Sequence, residues 1–272
     1  MKSAFYQIGI FSLAIIISLA ITNCSGDKST NPRPSDGLTA NHLASADFDN
    51  IPEAVVDSIQ ANMNIFYMHT SHGSQVISGM TLLREEFSLY DFNTGEGTLS
   101  ITEYGDDLGD AGDTSWVPIT RQYLDNPDND FNVVIWSWCG GVSSQTESGI
   151  NTYLNAVNQL EVDYPNVTFI YMTGHLDGTG VDGNLYARNN QIRQYCQTYT
   201  KYLFDFADIE SYDPAGNYYP DASDACEWCE DWCLTVDCPE CDCAHSQCFN
   251  CYQKGKAFWW LLAHIAGWDG EV

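Results

Sequence analysis

Five short apolar runs recur along the chain, and each has the length of a buried strand. The residues between the runs place apolar side chains at helical spacing, most clearly over residues 150–160. Alternation of buried strands with helices is typical of α/β folds built on a parallel sheet. The pattern predicts a three-layer, flavodoxin-like sandwich whose five parallel strands are residues 64–68, 98–101, 133–136, 167–172 and 202–206.

Three further segments carry the apolar pattern of a helix. One precedes the first strand and includes Val55, Val56 and Ile59, and a second covers residues 185–199. The third, residues 257–266, is apolar on nearly every side and is therefore expected to be buried. Ligands of such sheets bind at the carboxyl ends of the strands. The residues that follow each strand are therefore the first candidates for chemistry.

The N-terminal segment resembles a bacterial lipoprotein signal. A short basic start precedes an apolar run over residues 8–21, and Cys24 follows that run. We expect residues 1–23 to be removed and Cys24 to carry the lipid, although an ordinary secretory signal fits the same run. Residues 24–45 are polar and contain two prolines, as in a flexible tether, which leaves residues 46–272 as the folded domain. The expected location is the bacterial cell envelope, by a lipid anchor, or outside the cell.

Acidic residues far outnumber basic ones, and this excludes two classes of partner. The 272 residues include 10 Lys and Arg against 37 Asp and Glu, for a formal charge of −27. Binding to DNA or RNA needs clustered Lys and Arg, so no nucleic acid partner is expected. Attraction to an anionic membrane surface is excluded in the same way, which leaves the lipid anchor as the expected membrane contact. The length fits one domain, and we expect a monomer.

Two short segments carry residue types suited to nucleophilic catalysis. Ser71 directly follows the first predicted strand, in the sequence HTSHG. The N–H groups and dipole of a helix N-terminus stabilise a developing anion, although a serine there can also serve only as a helix cap. Near the other end of the chain, Asp242 lies three residues before His245, a spacing that puts both on one side of a helical turn. An acid beside a histidine can orient that histidine as a base.

In the order of these residues, over about residues 60–270, the chain resembles the SGNH (GDSL-type) serine hydrolases. The resemblance implies that Ser71 is the nucleophile, that His245 is the base and that Asp242 orients His245. The implied reaction is acyl transfer in two steps through an ester of Ser71.

The same resemblance implies the groups that bind the oxyanion. Residues 109–114, GDAGDT, are similar to the family's glycine segment after the second strand, which gives the oxyanion role to Gly109. Where the family has an asparagine after the third strand, this chain has WSWCGG over residues 136–141. Backbone N–H groups near Gly140, or the side chain of His175, are the expected substitutes.

Four further side chains near the strand ends are candidates for substrate contact. His69 and His72 flank the proposed nucleophile, Trp138 follows the third strand and His175 follows the fourth. Each has a structural alternative. Aromatic residues that end a buried strand are often core, and a histidine in a turn is often satisfied by backbone groups.

Eight of the 11 cysteines lie between residues 226 and 251, around Asp242 and His245. In an exported chain an even set of cysteines favours disulfides, although spacing leaves the pairing open. Three C-x-x-C pairs keep a zinc site open as the alternative, and no other metal or cofactor is expected. Cys139 and Cys196 are expected to be free buried thiols. The eight candidates, in a predicted insertion over residues 223–251, are Cys226, Cys229, Cys233, Cys238, Cys241, Cys243, Cys248 and Cys251.

These observations favour a surface-anchored serine esterase that hydrolyses O-acyl esters of the acetyl type, on carbohydrate. The carbohydrate part rests on the family's habits, on the aromatic residues and on the expected anchor. The absent asparagine keeps open a non-catalytic glycan-binding or adhesion lipoprotein on a degenerate hydrolase fold. A third hypothesis is a metal-dependent protein that uses the Cys and His cluster.

Overall fold

The computed structural model describes residues 38–110 and 112–271. The predicted signal segment, the lipidation site at Cys24 and most of the predicted tether lie outside the described residues. Within the described ranges, no helix is both long enough and apolar enough to cross a membrane.

The described chain alternates strands and helices. The strands are β1 (Thr39–Ala40), β2 (Asn64–Met68), β3 (Ser100–Tyr104), β4 (Val133–Trp136), β5 (Thr168–Met172) and β6 (Tyr202–Phe204). The helices are α1 (His42–Asp47), α2 (Glu53–Asn62), α3 (Ser71–Glu86), α4 (Trp116–Leu124), α5 (Glu147–Asp163), α6 (Asn184–Thr198), α7 (Phe206–Ser211), α8 (Glu227–Cys233) and α9 (Cys248–Ile265).

The strands form one parallel sheet in the order β1-β6-β5-β4-β2-β3. The predicted α/β fold with a parallel sheet is confirmed, and β2 to β6 correspond to the five predicted strands. Without β1 the strand order is that of flavodoxin. Three of these strands, β2, β4 and β5, are buried almost throughout, which explains why their sequences read as continuous apolar runs.

The predicted count of five strands is wrong, because β1 adds a sixth strand at the edge of the sheet. Thr39 pairs with Leu203 and Ala40 pairs with Phe204. A strand of two residues is too short to show a periodic pattern in the sequence. β1 and most of α1 also lie within the predicted tether, so the folded part of the chain includes residues 39–45.

Helix α9 begins at Cys248, nine residues before the predicted start at residue 257. The first half of α9 buries polar residues, among them Asn250 and Lys254, so the apolar pattern does not reveal it. The helices predicted around residues 55–59, 150–160 and 185–199 are present as α2, α5 and α6.

The carboxyl ends of β2 and β4 lie side by side and form the crevice where such sheets bind ligands. Met68 at the end of β2 pairs with Trp136 at the end of β4. The N–H of Ser137 donates to the carbonyl of Met68 at 2.9 Å, so the pairing continues one residue past the strand end. The segments that start at residues 69 and 137 therefore leave the sheet together.

Helices α3 and α9 cross in direct backbone contact, and two glycines permit it. A Cβ on Gly255 would lie 2.4 Å from the carbonyl carbon of Gly79, and a Cβ on Gly79 would meet the carbonyl of Cys251. Any side chain at either position would force the helices apart. The glycine pair therefore fixes the distance between the helix that begins at Ser71 and the helix that follows His245.

The cysteine-rich segment is held by four disulfides, as predicted. The pairs are Cys226–Cys229, Cys233–Cys238, Cys241–Cys248 and Cys243–Cys251. Of the three C-x-x-C pairs, only the first is a disulfide. This pairing leaves none of the eight sulfurs as a thiolate ligand for zinc. The last two disulfides tie the segment to the first turn of α9.

We expect Gly255→Ala to lower the free energy of unfolding by about 3 kcal/mol, because the added methyl overpacks a backbone contact. Thermal unfolding followed by circular dichroism measures the effect, and the midpoint should fall by about 6–12 °C. Gly105→Ala is the matched control, because no atom lies within 4 Å of a Cβ built at Gly105. Equal midpoints for the two variants would contradict the close helix packing.

Candidate functional site

Ser71 is the first residue of α3, at the predicted position between a buried strand and a helix. The preceding Thr70 is the N-cap residue by position, but its hydroxyl donates to Asp107 at 2.7 Å and caps no N–H of the helix. The hydroxyl of Ser71 contacts the Sγ of Cys139 at 3.2 Å. Ser71 is therefore not a capping residue, and its hydroxyl lies at the crevice between β2 and β4.

Close packing below Ser71 depends on Gly73 in the first turn of α3. A Cβ at Gly73 would lie 2.3 Å from the hydroxyl of Ser137 and 2.4 Å from the Cβ of His69. The carbonyl of Gly73 accepts a hydrogen bond from the hydroxyl of Tyr67 at 2.8 Å. The first turn of α3 is thus held against the ends of β2 and β4.

His72 connects the thiol of Cys139 to the carboxylate of Asp224. Its Nδ1 lies 3.2 Å from Cys139 Sγ, and its Nε2 lies 3.0 Å from Asp224 Oδ2. An ionised carboxylate only accepts, so Nε2 carries the proton and Nδ1 offers a lone pair to the thiol. Together with the contact of Ser71, this makes a continuous chain of polar contacts from Ser71 through Cys139 and His72 to Asp224.

The imidazole of His72 is neutral at neutral pH. The residue is 6% exposed, and burial lowers its pKa to about 4, with a further lowering from the neighbouring His175 and His245. The hydrogen bond that His72 donates to Asp224 raises the pKa but is a smaller effect than burial. A neutral ring in contact with a thiol and a carboxylate can accept a proton.

Three imidazoles stack at this edge of the sheet. The ring centroid of His72 lies 3.8 Å from that of His175 and 4.5 Å from that of His245, with interplanar angles of 2° and 12°. His175 follows β5, and its Nδ1 lies 2.6 Å from the carbonyl oxygen of Leu176. The structure therefore brings His72, His175 and His245 together, although they come from three distant parts of the chain.

Asp242 makes no hydrogen bond or ion pair to His245 among the described residues. The side chain of Asp242 is exposed. The spacing of Asp242 and His245 would put them on one side of a helical turn. Disulfides hold this segment as a loop instead, and α9 begins only at Cys248. His245 itself has a φ of 62°. The carboxylate that contacts His72, the residue next to Ser71, belongs to Asp224.

Of the two glycines expected to bind the oxyanion, one has an occupied backbone N–H and the other has a free one. The N–H of Gly109 donates to Asp107 Oδ1 at 2.8 Å, so this donor is already occupied. Within the described ranges the N–H of Gly140 makes no hydrogen bond, and the space where a Cβ would lie is open. Gly140 therefore keeps a free donor two positions along the chain from Trp138 and next to Cys139.

Two predicted substrate contacts are structural instead. Trp138 is 2% exposed, its indole N–H donates to the carbonyl of Met172 at 3.0 Å, and the ring packs on Tyr153. His69 lies 2.9 Å from Glu103 and joins the ends of β2 and β3. Both side chains are used in packing at the strand ends, which is the alternative that the sequence left open.

Sequence reasoning missed Cys139 and Asp224. Cys139 was expected to be a buried thiol without a role, and Cys196 is one, but Cys139 is half-buried and contacts Ser71 and His72. The position of Cys139 shortly after β4, at the carboxyl end of a strand, could have marked it as a candidate site residue. Asp224 lies in a loop two residues before Cys226, where no spacing or periodicity marks it.

A buried polar network is hydrogen-bonded to the backbone next to two of the stacked histidines. Lys254 and Glu210 are both fully buried and form an ion pair at 2.7 Å. Glu210 also accepts from the N–H of Leu176 at 2.7 Å, next to His175. Lys254 donates to Gln75, and Gln75 donates to the carbonyl of Ala244 at 2.6 Å, next to His245.

One group of described residues has the composition and spacing to hold a metal ion. The ligand atoms of His72, His175 and Asp224 all lie within 4.8 Å of one another.

Comparison with known proteins leaves the family open. No protein-family model matches the chain, and no curated protein matches it. One similar solved structure is a protein of Bacteroides fragilis NCTC 9343 described as a "putative acylhydrolase". It is 11% identical, its TM-score is 0.35, and the match covers 60% of this chain and 78% of that one. A likeness at this level carries no argument, so the resemblance to SGNH hydrolases stays a prediction.

Proposed function

We propose that this protein is a serine esterase, in which Ser71 is the nucleophile and His72 is the base. The observation that carries the proposal is the chain of contacts from Ser71 through Cys139 and His72 to Asp224. It lies at the sheet crevice where α/β enzymes bind their ligands. It also contains each part that nucleophilic catalysis needs: a nucleophile, a neutral base and an acid that fixes the tautomer of the base.

The first step would form an ester between Ser71 Oγ and the acyl carbon of the substrate. As Oγ attacks, its proton passes to Cys139 Sγ, and the thiol proton passes to Nδ1 of His72. Asp224 stabilises the resulting imidazolium through Nε2. When the tetrahedral intermediate collapses, the leaving alcohol takes a proton back along the same path. Water then hydrolyses the Ser71 ester with His72 again as the base.

The oxyanion would lie near the first turn of α3. The first N–H groups of a helix have no partner within the helix, and its dipole favours negative charge there. The free N–H of Gly140 is the second donor. Loss of one such donor typically lowers the rate by about 10²–10³.

The acyl group and the location belong to the same proposal. Four disulfides are typical of a protein outside the cytoplasm, which agrees with export. We propose short O-acyl esters on carbohydrate as the substrate class and a lipid-anchored protein of the cell envelope as the context. A non-catalytic glycan-binding role remains the alternative if no ester is turned over.

We expect Ser71→Ala to reduce turnover of a chromogenic acetate ester by at least about 10³-fold, because the nucleophile is lost. Ser148→Ala is the matched control, since Ser148 is an exposed serine in the first turn of α5. Mass spectrometry after treatment with a serine-directed phosphonate should place the adduct on Ser71. Persistent turnover in Ser71→Ala, or an adduct on Cys139 instead, would contradict the proposed nucleophile.

A second comparison separates the two histidines that could be the base. We expect His72→Ala to reduce kcat by about 10²–10⁴ with partial recovery on addition of imidazole, because the base is restored from solution. His245→Ala should retain far more activity, since His245 stacks on His72 without a contact to Ser71. His42→Ala, which removes a histidine paired with Asp208 elsewhere, controls for loss of a histidine. A larger loss in His245→Ala than in His72→Ala would restore His245 as the base.

A further inference from the structure

Three side chains at the proposed active site also form a ligand set for a metal ion. His72 Nε2 and Asp224 Oδ2 are 3.0 Å apart, and a ring nitrogen of His175 completes a group within 4.8 Å. Zinc bonds of about 2.0–2.1 Å at tetrahedral angles separate two ligand atoms by about 3.3 Å. The first pair already has this spacing. The ring of His175 is stacked parallel to that of His72, so it has to turn out of the stack for its lone pair to point at the same ion.

The surroundings of His175 match those of a metal-binding histidine. Its Nδ1 lies 2.6 Å from the carbonyl oxygen of Leu176, and a carbonyl only accepts, so Nδ1 carries the proton and Nε2 carries the lone pair. Metal-binding histidines usually donate their second ring N–H to a carbonyl or carboxylate in this way. The backbone of Leu176 is fixed in turn by the buried carboxylate of Glu210.

The remaining ligand, Asp224, is also held in place. It lies two residues before Cys226, whose disulfide to Cys229 closes the N-terminus of α8. Cys226 and Cys229 are fully buried and pack with Trp228 in a small core of their own. A carboxylate on a rigid segment is pre-arranged to complete the ligand set.

We propose that His72, His175 and Asp224 bind one divalent transition-metal ion of the zinc class. Two imidazoles and one carboxylate with an open fourth position are a ligand set that zinc accepts in proteins. The eight cysteines of the disulfide segment supply no thiolate, so within the described residues this group is the zinc site.

Metal binding and proton transfer need opposite tautomers of His72. The proposed esterase needs the proton on Nε2, facing Asp224, and the lone pair on Nδ1, facing Cys139. A metal on Nε2 forces the proton onto Nδ1, and His72 can then no longer accept the thiol proton. Zinc is therefore an inhibitor of the esterase; this consequence rests on the proposed function, whereas the binding itself does not.

Isothermal titration calorimetry of the whole chain, stripped of metal and titrated with zinc chloride, tests the binding. We expect one zinc ion per chain, and at least about tenfold weaker binding in both His175→Ala and Asp224→Asn. His42→Ala should bind as the wild type does, because His42 pairs with Asp208 away from the site. Cobalt(II) titrations followed by visible absorption provide a second readout in the same variants.

The outcomes separate the metal site from the esterase. No zinc binding, or binding that neither variant weakens, would overturn the site whether or not the protein cleaves esters. If the site binds zinc and the wild type hydrolyses esters, zinc should inhibit with a midpoint near its dissociation constant, and EDTA should restore turnover. Full activity at saturating zinc would overturn the inhibition. A protein without any ester turnover would overturn the proposed function and leave the calorimetric result to decide the site.

Discussion

The ion pair between Lys254 and Glu210 is the interaction on which the site depends. Both side chains are completely buried, and burial lowers the pKa of Lys254 while its attraction to Glu210 opposes that shift. A buried charge is tolerated only when it is paired and hydrogen-bonded. Lys254 meets this condition through Glu210, through Gln75 and through the ring of Phe206, 3.8 Å from its Nζ. The pair therefore ties α9, α7 and α3 together beneath the stacked imidazoles, and its hydrogen bonds reach the residues beside His175 and His245.

The second constraint comes from the disulfides, because the chain between α7 and α9 has little regular structure. Among the described residues of this stretch, α8 is the one helix, and four disulfides fix the remainder. This segment supplies Asp224 at its start and His245 at its end. A region that could not bury enough apolar surface on its own is thus made rigid enough to position two functional groups.

The sequence predicted the parts of the molecule that depend on local pattern. Strands β2 and β4 to β6 appear as apolar runs because parallel strands are buried on both faces. Ser71 lies between a strand and a helix, as its place in the pattern predicted. Contacts that depend on how distant segments meet could not be predicted. Asp224 contacts His72 although 152 residues separate them in the sequence. Asp242 is exposed, in a loop that disulfides hold instead of a helix. Cys139 follows a strand and His72 follows Ser71 in the sequence, but no local pattern indicated that these two residues are in contact.

In the proposed mechanism, Nδ1 of His72 accepts the proton of the Cys139 thiol while Asp224 fixes the tautomer of the ring. Long-range ¹H–¹⁵N correlation NMR on the metal-free protein at neutral pH measures that tautomer directly. We expect a neutral ring with its proton on Nε2 and a lone pair on Nδ1. A proton on Nδ1, or a ring protonated at both nitrogens, would contradict it, because His72 could then accept nothing from the thiol.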